Sequence, residues 1–203
     1  AYAVAVLWRD LKGTPKIIFQ TSVGLILALS LTYPLMGLWS KTNGFQPYEN
    51  FTLDGTNYLQ RGSPDEAAAM DWLREAPLGV IAEAVGGSYT QFARMSVNSG
   101  QPAVLGWEFH EIQWRGGTDE MGSRSADMER LYCTNYWEEA LDILHQYDVR
   151  YVVVGPVEQA AYGAGSDRCP GGVNEMKFSR RLPVVFQQGS TAIYQVPDEI
   201  KTP

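Results

Sequence analysis

The sequence predicts an α/β protein in which one transmembrane helix precedes an open, mainly parallel sheet with flanking helices and a C-terminal antiparallel hairpin. Three observations carry that prediction. Residues 17–39 form a run of 23 residues without a charge. After it, short apolar runs alternate with segments that bear helix-start signals, the order expected of parallel strands joined by crossover helices. Near the end, LPVVFQQGSTAIYQV places two apolar runs on either side of a Gly-Ser turn, which is a hairpin pattern.

The uncharged run, IIFQTSVGLILALSLTYPLMGLW, spans about 35 Å as a helix, enough for a bilayer core of about 30 Å. Pro34 is expected to kink its last turns, and Tyr33 and Trp39 stand where an interfacial aromatic belt belongs. The basic stretch RDLKGTPK flanks its N-terminal side, so the positive-inside rule assigns residues 9–16 to the cytoplasm and residues 40–203 to the outer face of the cell membrane. AYAVAVLW is apolar but too short to span, and it reads as the tail of an earlier hydrophobic segment. Residues 1–16 are thus the end of that segment plus a cytoplasmic loop, and the chain is expected to be a C-terminal piece of a larger membrane protein. Residues 40–52 form a polar linker, and residues 53–203 form the extracytoplasmic α/β domain.

Charge narrows the partners. Four basic residues against Asp10 put the first 46 residues at +3, which leaves −10 on the other 157 out of a total of −7. An acidic domain repels phosphate backbones, so nucleic acid is set aside. The expected partners are the lipid bilayer and other membrane helices or subunits of a complex, with a sugar or lipid phosphate as a candidate ligand.

Along the external domain, Ser63, Pro64 and Glu66 make a capping box for a helix running to about Glu75, with Ala68, Trp72 and Leu73 facing inward. GVIAEA reads as a buried strand, QFARMSV as a short helix and PAVLGW as a second strand. Asn135 and Glu138 suggest a second capping box ahead of YWEEALDILHQY, and RYVVVG is the strongest strand signal in the chain. AYGAGSDRCPGG has the composition of a surface loop. Cys133 and Cys169 both fall in the external part, where a disulfide closing a loop of about 36 residues competes with two buried thiols.

Ligands of an open α/β sheet bind beyond the C-terminal strand ends, and three loops start there: EAVGGSYT, GWEFHEIQWRGG and GPVEQAAYG. The second is the richest, with Trp107, Glu108, His110, Glu111, Trp114 and Arg115 within nine residues. Its aromatic faces could stack on a sugar ring, and Arg115 could hold a phosphate or carboxylate. The alternative is a packing loop in which Arg115 pairs with Glu83 or Glu111. Glu83, Ser88 and Tyr89 complete the candidate contact set from the first loop.

Several catalytic patterns fail. In HEIQW, Trp114 stands where a zinc-protease helix needs its second histidine, and His110 and His145 make no ligand set with the cysteines, so no metal site is expected. GGSYT lacks the spacing of a dinucleotide or phosphate loop, no cofactor signature appears, and Ser88 has no nucleophile-elbow context.

The segments LDGTNYL, DEAAAMDWL, EAVGGSYTQFARMS, LGWEFHEIQWRG and LDILHQYDVRYVVVG, with the KF at Lys177, together resemble the YYY membrane proteins of Chloroflexi and archaea, over most of residues 53–196. A more distant likeness runs to the external domains of polytopic, lipid-linked sugar transferases. Such transferases place their catalytic acid in an early loop among the membrane helices. The resemblance therefore implies a non-catalytic, substrate-covering domain concerned with envelope glycans or lipid-linked sugars. The alternative from another class is a structural or accessory subunit of a respiratory or photosynthetic membrane complex, docked through its helix.

Overall fold

A computed structural model describes residues 2–46, 52–119 and 121–198. The chain divides into two compact units, residues 1–55 and 56–203.

The first unit holds α1 (Tyr2–Asp10) and α2 (Thr14–Lys41). Pro15 lies in the first turn of α2, where a missing N–H costs nothing, and Trp8 of α1 meets Phe19 edge-on at 6.5 Å. α2 has 28 residues and is long and apolar enough to cross a membrane, and none of its side chains is buried by protein. Lys16 and Lys41 bracket the apolar stretch, so the helix extends a few residues past the uncharged run at each end.

The second unit is a three-layer arrangement built on a four-stranded mixed sheet. Its elements are α3 (Asn57–Gly62), α4 (Pro64–Glu75), β1 (Val80–Ala82), α5 (Arg94–Ser99), α6 (Glu108–Arg115), α7 (Arg124–Cys133), α8 (Trp137–Gln146), β2 (Val149–Val154), α9 (Pro156–Tyr162), α10 (Glu175–Ser179), β3 (Val184–Gln188) and β4 (Thr191–Gln195). The strand order is β1-β2-β4-β3. β1 and β2 are parallel, while β2–β4 and the hairpin β3–β4 are antiparallel. PAVLGW adds a single parallel bridge, Ala103 to Ile81, rather than a strand.

β2 shows why the sheet is covered on both sides. Val152 and Val154 point into one core with Leu131, Tyr132, Leu144 and Phe178, while Tyr151 and Val153 point into the other with Ala69, Met70, Leu73 and Met95. Alternation has a period of two, so an unbroken apolar strand feeds two faces. α4 and α5 close one face; α7, α8 and α9 close the other. In α8 the buried residues Ala140, Ile143 and Leu144 fall at helical spacing, as its pattern requires. Cys133 at the end of α7 is disulfide-bonded to Cys169, with Cα atoms 5.4 Å apart.

Two expected capping boxes are absent. Ser63 precedes α4 without a side-chain cap bond, because Glu66 turns inward to Arg94 instead of back to its own helix start. α8 starts after Tyr136 rather than Asn135, and the Thr134 hydroxyl, which bonds Glu139 and accepts the Tyr136 N–H, organises the turn. Within α4, Ala69, Met70 and Leu73 are buried, and Trp72 is half-buried edge-on to Tyr151 at 5.7 Å.

Candidate functional site

The segment between β1 and α5 forms one wall of the site. Gly86 is required there, because a Cβ would lie 2.1 Å from the Phe92 ring that folds back over it. The doubled-back loop presents Tyr89 with φ of 59° and 79% of its surface exposed. A bulky side chain in left-handed backbone costs of order 1–3 kcal/mol, and such strain concentrates at functional sites. Ala93, at φ of 61°, repeats the conformation just before α5.

The second wall comes from the segment expected to be a loop, which is helix α6 preceded by Trp107. The Trp107 indole N–H donates to the Phe92 carbonyl at 2.7 Å, fixing the ring against the first wall. Tyr89, Trp107 and His110 form a three-ring cluster with centroids 4.5 to 5.5 Å apart. Glu111 reaches back to the Gly106 N–H at 2.7 Å and also accepts from Arg115 at 3.1 Å, so Arg115 is paired one turn away. Gly116, at φ of 76°, ends the helix in a left-handed cap. Glu108 is half-buried in the first turn of α6, and Trp114 is 83% exposed on the helix, as is Phe109 at 68%.

A cleft of about 640 Å³ lies against these walls, lined by Tyr58, Tyr89, Phe92 and Trp107 with Glu66 and Arg94 in its floor. Arg94 gives Nη1 and Nη2 to the two oxygens of Glu158 at 3.1 and 3.0 Å, and Nε to Glu66 Oε1 at 2.6 Å. Glu83 Oε2 stands 3.7 Å from the same guanidinium. Glu83 is fully buried and accepts the N–H groups of Met95 and Ser96, both at 2.9 Å. Burial pushes its carboxyl above the ordinary range, against the pull of Arg94 and these two N–H donors. Carboxylate pairing outweighs burial at Arg94 and holds its guanidinium charged.

The sequence therefore placed Tyr89, Trp107 and His110 in one candidate set, and the structure brings these three together. Trp114 and Arg115 follow His110 on α6 and do not line the cleft, and Glu83 is buried as a clamp on the start of α5. The Ser88 hydroxyl is buried with no hydrogen-bond partner among the described residues. Tyr58, Glu66, Arg94 and Glu158 had escaped the sequence reading. Glu158 follows the Gly155–Pro156 start of α9 at the N3 position, a signal that could have marked it, and it does accept the Gly155 N–H at 2.9 Å. Among the described residues no group of three or more His, Cys, Asp or Glu side chains is placed to hold a metal ion.

No family model matches the chain, and no curated protein matches it. Among solved structures, the chain is similar to the C-terminal globular domain of an oligosaccharyltransferase from Archaeoglobus fulgidus, with 15% identity, 64% of this chain and 95% of that one covered, and a TM-score of 0.40.

Proposed function

We propose that the chain is a membrane-anchored, extracytoplasmic domain that holds a glycan for an integral membrane protein of envelope glycan or lipid-linked sugar handling, without being the reaction centre itself. The observation that carries this reading is the cleft of Tyr58, Tyr89 and Trp107 above the Glu66–Arg94 pair. Flat aromatic faces beside hydrogen-bonding groups suit a ring with one apolar and one polar face. The distant likeness of the sequence to the external domains of lipid-linked sugar transferases supports the same reading, and α2 supplies the anchor. Tyr89→Ala and Trp107→Ala should abolish binding of oligosaccharides to the full chain in nanodiscs while Arg115→Ala leaves it intact. Unchanged binding in both aromatic variants would overturn the reading. For orientation, a cysteine placed at Asn43 should react with an impermeant thiol reagent in intact cells and one at Gly13 should not.

A second reading rests on α6. Phe109 and Trp114 are large, apolar and exposed, and Trp is among the residues that most often dominate protein interfaces. Under it the chain is an accessory subunit, and Trp114→Ala releases it from a larger membrane complex while glycan binding stays.

A further inference from the structure

The floor of the cleft is unusual in its charge. Glu66, Glu83 and Glu158 surround one guanidinium, that of Arg94, and all four residues are buried at 6% exposure or less. The Arg94 donors are committed: Nε and Nη2 to Glu66, Nη1 and Nη2 to Glu158, with Nη1 also facing Glu83. An incoming anion would compete with these three carboxylates for the guanidinium. Among the described residues that line the cleft, Glu66 and Arg94 balance each other, and the buried Glu158 paired to Arg94 from behind gives the cluster an excess of negative charge even with the Glu83 carboxyl neutral.

The remaining groups of the cleft are those that recognise hydroxyls. Arg94 bonds Glu66 through Oε1, leaving Oε2 as an acceptor. Asn98, which also lines the cleft, gives its N–H to the Arg94 carbonyl at 2.8 Å, which leaves its side-chain oxygen as an acceptor. Thr90 and Gln91 lie on the loop beside Tyr89. Acceptors over an acidic floor and aromatic rings at the sides match donors and C–H faces, both of which a sugar supplies.

We infer that the cleft takes the uncharged rings of a neutral glycan and rejects phosphate, pyrophosphate and sulfate groups, so that from a lipid-linked sugar it would hold the residues away from the phosphate. This rests on the glycan reading above and goes further by fixing the charge class of the ligand. Anion rejection follows from Coulomb repulsion in a partly enclosed site, and it weakens as salt screens it.

The test uses the full chain in phosphatidylcholine nanodiscs and saturation-transfer NMR with maltose, mannobiose and N,N′-diacetylchitobiose beside their 1-phosphates. At least one neutral disaccharide should bind, its 1-phosphate should bind about tenfold more weakly or worse at low salt, and the gap should narrow at high salt. Tyr58→Ala should weaken the neutral ligand; Tyr58 is 68% exposed, so its loss leaves the fold in place. Glu66→Gln should shrink the discrimination between neutral and phosphorylated forms. A 1-phosphate that binds as tightly as its neutral parent, with Tyr58→Ala still weakening both, would overturn the charge inference and leave the glycan reading standing. If no disaccharide binds in either form at millimolar concentration, both fall.

Discussion

Arg94 and Glu158, 64 residues apart, meet in a two-point ion pair at 3.0 and 3.1 Å in the buried floor of the cleft. Glu158 also accepts the N–H groups of Ala84 and Gly155, at 2.8 and 2.9 Å, so one carboxylate ties the end of β1, the start of α9 and α5. Removing the cation leaves three buried carboxylates uncompensated. Arg94→Leu should cost about 3–5 kcal/mol at neutral pH. Glu83, already pushed up by burial, loses the opposing pull of Arg94, so the native variant holds a proton that the unfolded one lacks and its stability rises as pH falls. Denaturant unfolding at pH 5 and 7.5 should show the smaller loss at pH 5. An equal loss at both would mean that the cost is packing alone.

Tyr89 offers a separation of stability from function. Its backbone at φ of 59° suits glycine, and its side chain is exposed. Tyr89→Gly should hold or raise the melting temperature, by relief of about 1 kcal/mol of strain, while glycan binding is lost. A fall of several degrees in the melt would show that the ring packs the fold rather than a ligand.

The disulfide should matter beyond its own loop. On the chain-entropy estimate, a cross-link closing about 36 residues contributes roughly 3–4 kcal/mol. Arg168, next to Cys169, donates to the Val85 carbonyl at 2.9 Å, and the Tyr162 hydroxyl accepts the Val85 N–H at 3.1 Å. Val85 leads directly into the loop that carries Tyr89. Cys169→Ser should therefore lower the melting temperature and also speed hydrogen exchange at residues 84–92. Exchange confined to residues 163–174 would separate the cross-link from the cleft.

The order of elements was legible because it rests on local patterns: the uncharged run for α2, the β-branched run for β2 and the amphipathic spacing of α8. What escaped depends on contacts distant in sequence. Glu66 looks like the N3 residue of a capping box, and its pairing with Arg94 28 residues away is what turns it inward. The crowding of aromatics and charges over residues 107–115 suggests a loop, yet Ile112 packs inward and Glu111 with Arg115 makes an ordinary helical pair. α7 carries weak periodicity; its buried Tyr132 has its hydroxyl within reach of the Ala82 and Val153 carbonyls, to one of which it donates at a time, a partnership no local signal reveals.

Lys177 gives a pH dependence whose sign is fixed by burial. Its ammonium donates to the carbonyls of Tyr132 and Thr134 at 2.9 and 2.8 Å, filling acceptors left over at the end of α7, and lies 4.8 Å from the Phe178 ring. The carboxylate facing it is Glu139, which favours the charged form, but desolvation dominates and brings the pKa from 10.5 down to about 7. Between those values the unfolded chain binds a proton that the native chain lacks, so this residue makes stability rise with pH. The penalty is fully present below about 7 and gone above about 10.5. Tyrosines whose folded pKa is raised, Tyr194 among them, lose their protons first in the unfolded chain, near the ordinary value of 10, so the comparison belongs below that pH. Unfolding free energies of the wild type and Lys177→Met, measured from pH 6 to pH 9, should diverge in favour of the wild type as pH rises. A constant difference would show that Lys177 stays charged in the fold, held by its two carbonyls and Glu139 against the cost of burial.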